Sequence, residues 1–185
     1  MGDAAKTYVL VDGENLDATL GGSILNRRPE PNERPRWDRL IQFISDHWHQ
    51  PVTGLFFINA SDHIPHSFVQ AIQALGFKPV LLAGDASQKV VDIGIQRTLE
   101  ALGGRRGDVV LVSHDGDFLP FLEPLIGSRR VAVAGFREFM NSEYRPWFGD
   151  GVELLDVEFD MKLFTTKLPR TRVIPIDDFD PQEFL

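Results

Sequence analysis

The chain contains no cysteine. Disulfides, thiolate metal sites and cysteine nucleophiles are excluded, and a cytoplasmic protein is the expectation. Long apolar runs are missing too. None approaches the roughly 20 residues that a bilayer-crossing helix needs, so no membrane segment is expected. The chain enters Thr7-Tyr8-Val9-Leu10-Val11 without a charged region followed by a long apolar stretch, so no signal peptide is expected. Basic residues are in deficit, with 19 Lys and Arg against 27 Asp and Glu, a net charge of −8. That deficit argues against a broad basic face for nucleic acid. It is also uneven: residues 1–149 hold 18 acids and 15 bases, whereas residues 150–185 hold 9 acids and 4 bases.

What is present reads as one globular domain: 185 residues, 43% of them hydrophobic. Five short apolar runs have strand length: Tyr8–Val11, Gly54–Ile58, Pro79–Leu82, Val109–Val112 and Val131–Ala134. They do not alternate in and out, which fits a parallel sheet covered on both faces. Val152–Leu155 is a candidate sixth strand. Between the runs lie stripes at helical spacing: Trp37, Leu40, Ile41, Ile44 and Trp48; Phe68, Val69, Ile72 and Leu75; Val91, Ile95, Leu99 and Leu102; Phe118, Phe121, Leu122 and Leu125. Strands alternating with helices predict a doubly wound α/β fold of three layers, flavodoxin-like in general plan. Gly21–Arg36, with two glycines and three prolines, reads as a long loop. The domain is expected over residues 1–155. Residues 156–185 are expected to form an acidic, proline-containing tail, partly disordered.

Ligands of open α/β sheets bind beyond the carboxyl ends of the strands. Asp12-Gly13-Glu14-Asn15 follows the first run and Ser113-His114-Asp115-Gly116-Asp117 the fourth; Asp92 begins the third helix, just after Lys89. Each aspartate alone reads most simply as a helix cap or turn residue. Asp12 and Asp115 at neighbouring strand ends are harder to explain that way, because crowded carboxylates repel unless they share a cation. Oxygen-only donors suit Mg²⁺ or Mn²⁺ rather than zinc. Asn15 and Ser113 are supporting candidates, and Glu14 is better read as an acid on a helix dipole. Lys89 is either a phosphate contact or a solvated lysine. Arg27, Arg28, Arg34 and Arg36 of the long loop are candidate nucleic-acid contacts on the rim of the acids. Arg105-Arg106 and Arg129-Arg130 precede strands and belong to the opposite end. Trp37 and Phe136 read as core before they read as base-stacking residues, and His63 and His66 as rim residues without ligand spacing.

Three segments carry a resemblance. Val11-Asp12-Gly13-Glu14-Asn15, Lys89-Val90-Val91-Asp92 and Ser113-His114-Asp115-Gly116-Asp117-Phe118-Leu119-Pro120 resemble, in order, motifs of the NYN domain family. This branch of the PIN-like nucleases includes the LabA/DUF88 group. Val90 stands where the family often has glycine, and His114 and Gly116 fill variable positions. The resemblance implies strand order 3-2-1-4-5 and a pocket in which Asp12, Asp92, Asp115 and Asp117 hold one or two divalent ions. It also implies hydrolysis of RNA, with single-stranded RNA as partner, and it is compatible with a homodimer. Two other functions are open at this point. One is a non-catalytic RNA-binding scaffold of the same fold. The other is a receiver-like signalling domain, which would need an acceptor such as Asp85 after the third strand and a lysine after the fifth; no lysine directly follows Val131–Ala134.

Overall fold

The computed structural model describes residues 5–170 and 176–185. Six parallel strands form one sheet: β1 (Thr7–Asp12), β2 (Val52–Asn59), β3 (Lys78–Leu82), β4 (Asp108–Val112), β5 (Val131–Gly135) and β6 (Val152–Asp156). Their spatial order is β3-β2-β1-β4-β5-β6, which is the expected order with the candidate sixth strand added at its end. β3 lies at one edge. A receiver requires its acceptor strand in the sheet interior, in order 2-1-3-4-5, so that reading is excluded.

Except at the edge strand β3, where Leu81 is exposed, the apolar runs are strands because both of their faces are covered. Val9 and Val11 of β1 and Val110 and Val112 of β4 point to one layer. That layer holds α1 (Gly13–Ala18), α2 (Trp37–Trp48) and α3 (His66–Ala74). Leu10, Leu111 and Val133 point to the other, formed by α4 (Val90–Leu102) and the short α5 (Leu119–Leu122). The stripe at Phe118–Leu125 is a 3₁₀ turn, α5 and a second 3₁₀ turn, with Pro120 and Pro124 keeping the pieces short. Trp37 and Phe136 are core residues, as read from the sequence.

Two segments depart from expectation. The loop expected at Gly21–Arg36 begins as helix: α1 continues into a wider π-helical stretch over Thr19–Leu25. Leu20, Ile24 and Leu25 are buried there, and that burial outweighs the poor helix propensity of Gly21 and Gly22. The stretch stops at Asn26, which takes a left-handed conformation. The second departure is at the domain end. The chain stays packed after Leu155: Val157, Met161, Leu163, Phe164 and Leu168 are all buried in the first core layer. Arg170 lies over the Phe136 ring and pairs with Glu138 and Glu158. The packed unit therefore reaches Arg170. Part of the expected tail, residues 171–175, lies outside the described residues, while Ile176, Phe179 and Leu185 are exposed. Among the described residues no helix is long and apolar enough to cross a membrane.

Candidate active site

The register of the sheet sets the site. Val11 pairs with Val112, so the residues that follow, Asp12 and Ser113, emerge side by side at the carboxyl edge. Asp12 is buried and caps α1, accepting from the Asn15 backbone N–H at 3.3 Å. Its other oxygen accepts from Ser113 Oγ at 3.0 Å. Ser113 Oγ in turn accepts from the Asp115 N–H at 3.2 Å, and Asp115 Oδ1 accepts from the Asp117 N–H at 2.9 Å. One chain of hydrogen bonds thus links Asp12 to Asp115 and Asp117. The capping reading holds for Asp12 and Asp115, and it coexists with their clustering.

The same edge gathers the fourth aspartate. Asp12, Asp92 and Asp115 line a cavity of about 380 Å³, together with Glu14, Asn15 and Lys89. Burial, opposed by the two hydrogen bonds and reinforced by the charges of Asp92 and Glu14, raises Asp12 from 3.8 to about 6. Asp92 is raised as well, chiefly by burial, with Asp115 and Asp117 adding repulsion and Lys89 opposing it. Lys89 Nζ lies 3.8 Å from Asp92. Asp117 is exposed at the rim and does not line the cavity, but its charge is felt by Asp92.

The residues that hold this arrangement include two that sequence reasoning missed. His114, a variable position by motif, is buried, and its Nε2 accepts from the Phe136 N–H at 2.8 Å. That bond puts the imidazole proton on Nδ1, which donates to Asn15 Oδ1 at 2.8 Å. Asn15 Oδ1 also accepts from the His114 N–H at 2.9 Å, so Asn15 ties the two acid-bearing loops together. Burial lowers His114 from 6.5 to about 4, which keeps it neutral. Tyr144, fully buried, donates its hydroxyl to the Asp115 carbonyl at 2.7 Å. Gly116 lets this clamp close, since a Cβ there would stand 2.7 Å from Asn141 Cγ. Nothing local marks either side chain, because their partners lie on other strands or loops.

The four loop arginines do not join the site. None lines the acid cavity. Arg27 forms a two-pronged pair with Glu33 at 2.7 Å, and Arg36 pairs with Asp38 at 3.0 Å. Arg34 faces the charge of Asp17, and Arg28 is exposed. The loop instead leans on the C-terminal segment, where the Arg36 N–H donates to the Leu163 carbonyl. His63 and His66 are exposed.

Hard oxygen donors with raised pKa values are what a divalent cation would stabilise. Among the described residues, however, no three His, Asp or Glu side chains converge closely enough to enclose an ion by themselves. Mg²⁺ is commonly held by one or two carboxylates with several retained waters, so the donor set fits a partly hydrated ion and not a closed protein cage.

No curated protein matches the chain. A crystal structure of a protein of unknown function from Vibrio parahaemolyticus RIMD 2210633 is similar, with TM-score 0.64 and 20% identity; the match covers 86% of this chain and 98% of that one. At that identity the likeness supports the fold. The NYN domain profile matches residues 6–145, a span that contains β1 to β5 and all four aspartates. The chain therefore belongs to the NYN domain family, within the PIN-like nuclease superfamily.

Proposed function

We propose that the protein is a metal-dependent ribonuclease that hydrolyses RNA phosphodiester bonds in the acid cavity. The observation that carries this reading is the convergence of Asp12, Asp92 and Asp115 on one cavity, with burial and mutual repulsion raising two of them. Asp12, Asp92 and Asp115 would hold Mg²⁺ or Mn²⁺, with Asp117 at the rim. When bound, the ion would supply charge stabilisation at the phosphate and a more acidic water. The chain's own contribution is positional. Ser113 and the Asn15 amide fix both Asp12 oxygens, and Tyr144 and Asn15 hold the Asp115 loop in place. Such preorganisation lets carboxylates orient an attacking water without reorganising during reaction. Lys89 lines the cavity wall, and in this reading it would meet a substrate phosphate.

The second reading, an RNA-binding scaffold without catalysis, is favoured by the lack of a closed three-ligand set among the described residues. Labelled single-stranded and structured RNAs incubated with Mg²⁺ or Mn²⁺ separate the two. The nuclease reading expects cleavage that EDTA abolishes and that falls at least ~100-fold in Asp115→Asn. Retained RNA binding with no cleavage of any substrate would refute it and leave the scaffold.

A further inference from the structure

A second cavity adjoins the acid site. It holds about 330 Å³ and runs between α4 and the edge strand β3. Gln88 and Val90 line both cavities, so the two adjoin at the start of α4. The groove has a simple origin. α4 lies over β2 and β1, and β3 is the last strand, so Val80 and Leu82 are only half covered. Val80, Leu82 and Ile93 give it apolar walls, and Gln88, Arg97 and Thr98 supply its polar groups.

The turn before α4 shapes the junction. Gln88 folds back so that its Oε1 accepts from the Asp85 N–H at 2.9 Å. Gly84 permits this, because a Cβ there would stand 2.4 Å from Gln88 Oε1 and 2.7 Å from Val90 Cγ1. With Oε1 engaged, Gln88 has its amide donors left for a ligand. Thr98 gives its proton to the Gly94 carbonyl at 2.7 Å, which leaves its oxygen as an acceptor. One donor group and one acceptor thus stand among apolar walls. Lys89 borders the acid cavity and Arg97 the groove, both on or beside α4 and roughly 12 Å apart along its axis at 1.5 Å per residue.

We infer that the groove between α4 and β3 takes the base of the nucleotide flanking the scissile phosphate, with Arg97 on the neighbouring phosphate. This rests on the ribonuclease reading for the place of the phosphate. A base offers flat apolar faces and a polar edge, which is the chemistry of the groove. Only an unpaired base can enter, since in a duplex the faces are stacked and the edges paired. The groove therefore selects single-stranded RNA, and α4, not the arginine loop, carries the cationic contacts.

The test is binding of a labelled ten-nucleotide RNA to the full chain by fluorescence anisotropy, in EDTA so that no cleavage intervenes. Three probes are compared: the single strand, its duplex, and a single strand with abasic sites. Thr98→Phe, which fills the groove, should weaken the single strand about 10-fold or more and leave the abasic strand unchanged. Arg97→Glu should weaken both strands and flatten the salt dependence. Arg105→Ala, exposed at the opposite end of the sheet, is the control. Thermal melts establish that each variant folds, and Arg97→Glu carries the test if Thr98→Phe does not. Equal binding of abasic and normal strands by the unaltered protein, or an undiminished preference for single strands in a folded Thr98→Phe protein, would overturn the inference. Failure of all RNA to bind overturns the groove, while the ribonuclease reading stands or falls on cleavage in Mg²⁺ or Mn²⁺. Base-dependent binding that is sensitive to Thr98 and Arg97, without cleavage in Mg²⁺ or Mn²⁺, keeps the groove and removes only the nuclease.

Discussion

Replacing Asp12 by asparagine should stabilise the metal-free protein at neutral pH and remove its function. Asp12 is 3% exposed, and its pKa rises from 3.8 to about 6 on folding. Above pH 7 the folded state must hold a charge it resists, at a cost of about 3 kcal/mol. The sign follows from proton counting. Between 3.8 and 6 the folded state binds more protons than the unfolded, so stability falls as pH rises through that window, and the penalty is complete above it. Asparagine keeps one oxygen for the Asn15 amide and turns its NH₂ to Ser113 Oγ. The Ser113 proton then loses its acceptor, at about 1 kcal/mol. The net expectation is a gain of roughly 2 kcal/mol at pH 8, or about 4–8 °C in Tm for a chain of this size. At pH 4.5 only about 1 kcal/mol of the penalty remains, so the two proteins should be nearly equal. Urea denaturation in EDTA at the two pH values measures both gaps. Mg²⁺ added at pH 8 should stabilise the unaltered protein and not the variant. A gap independent of pH, or an Asp12→Asn protein less stable than the unaltered one at pH 8, would refute the reasoning and make Asp12 a structural cap only.

His114 should show the opposite slope. Its depressed pKa, about 4 against 6.5, means stability is complete above 6.5 and declines as pH falls toward 4. In the unaltered protein the Asp12 trend opposes this decline; in Asp12→Asn urea titrations should expose it, and an imidazole that titrates near 6.5 by NMR would contradict it. Gly13→Ala should cost ~1–3 kcal/mol despite alanine's better helix propensity. Its Cβ would stand 2.6 Å from Phe56 Cε1, and that ring is held edge-on by Trp37, Phe68 and Phe77; an unchanged denaturation midpoint would mean the ring yields freely. A chain ending at Leu155 should fail to fold, because the buried Val157, Met161, Leu163, Phe164 and Leu168 are each worth about 1.5–3 kcal/mol against a total of roughly 5–15 kcal/mol. A chain ending at Arg170 should melt by circular dichroism within a few degrees of the full protein, and a cooperative melt of the shorter one would place the boundary back at Leu155.

How much of this was legible in the sequence depends on where each residue's partners lie. The strands were legible because a strand covered on both faces is marked by its own composition, and β-branched runs stand out without knowledge of what covers them. That Asp12 and Asp115 lie at one edge was legible for a similar reason: a carboxylate directly after a buried strand is a local event, and doubly wound topology sends every strand end to one edge. What failed depended on distant partners. Leu20, Ile24 and Leu25 make a helix of a glycine-bearing stretch only because a core waits for them. The C-terminal segment looked like a tail by its prolines and acids, yet Leu163 and Phe164 are buried in the first core layer, where Phe164 stacks on Phe136 just after β5. Arg27 and Arg36 are a different case: Glu33 and Asp38 lie only six and two residues away, so these pairs were open to a reading that set the loop's acids against its bases. The acid balance illustrates the same point. Several of the acids behind the −8 are spoken for by named partners, Glu33 by Arg27, Glu158 by Arg170 and Asp108 by Arg130, so the total says little about any one surface. The local field is set by nearer groups: at the acid cavity Asp12, Asp92 and Asp115 stand with Lys89 in one lining, and in the adjoining groove Arg97 is the cation that lines it.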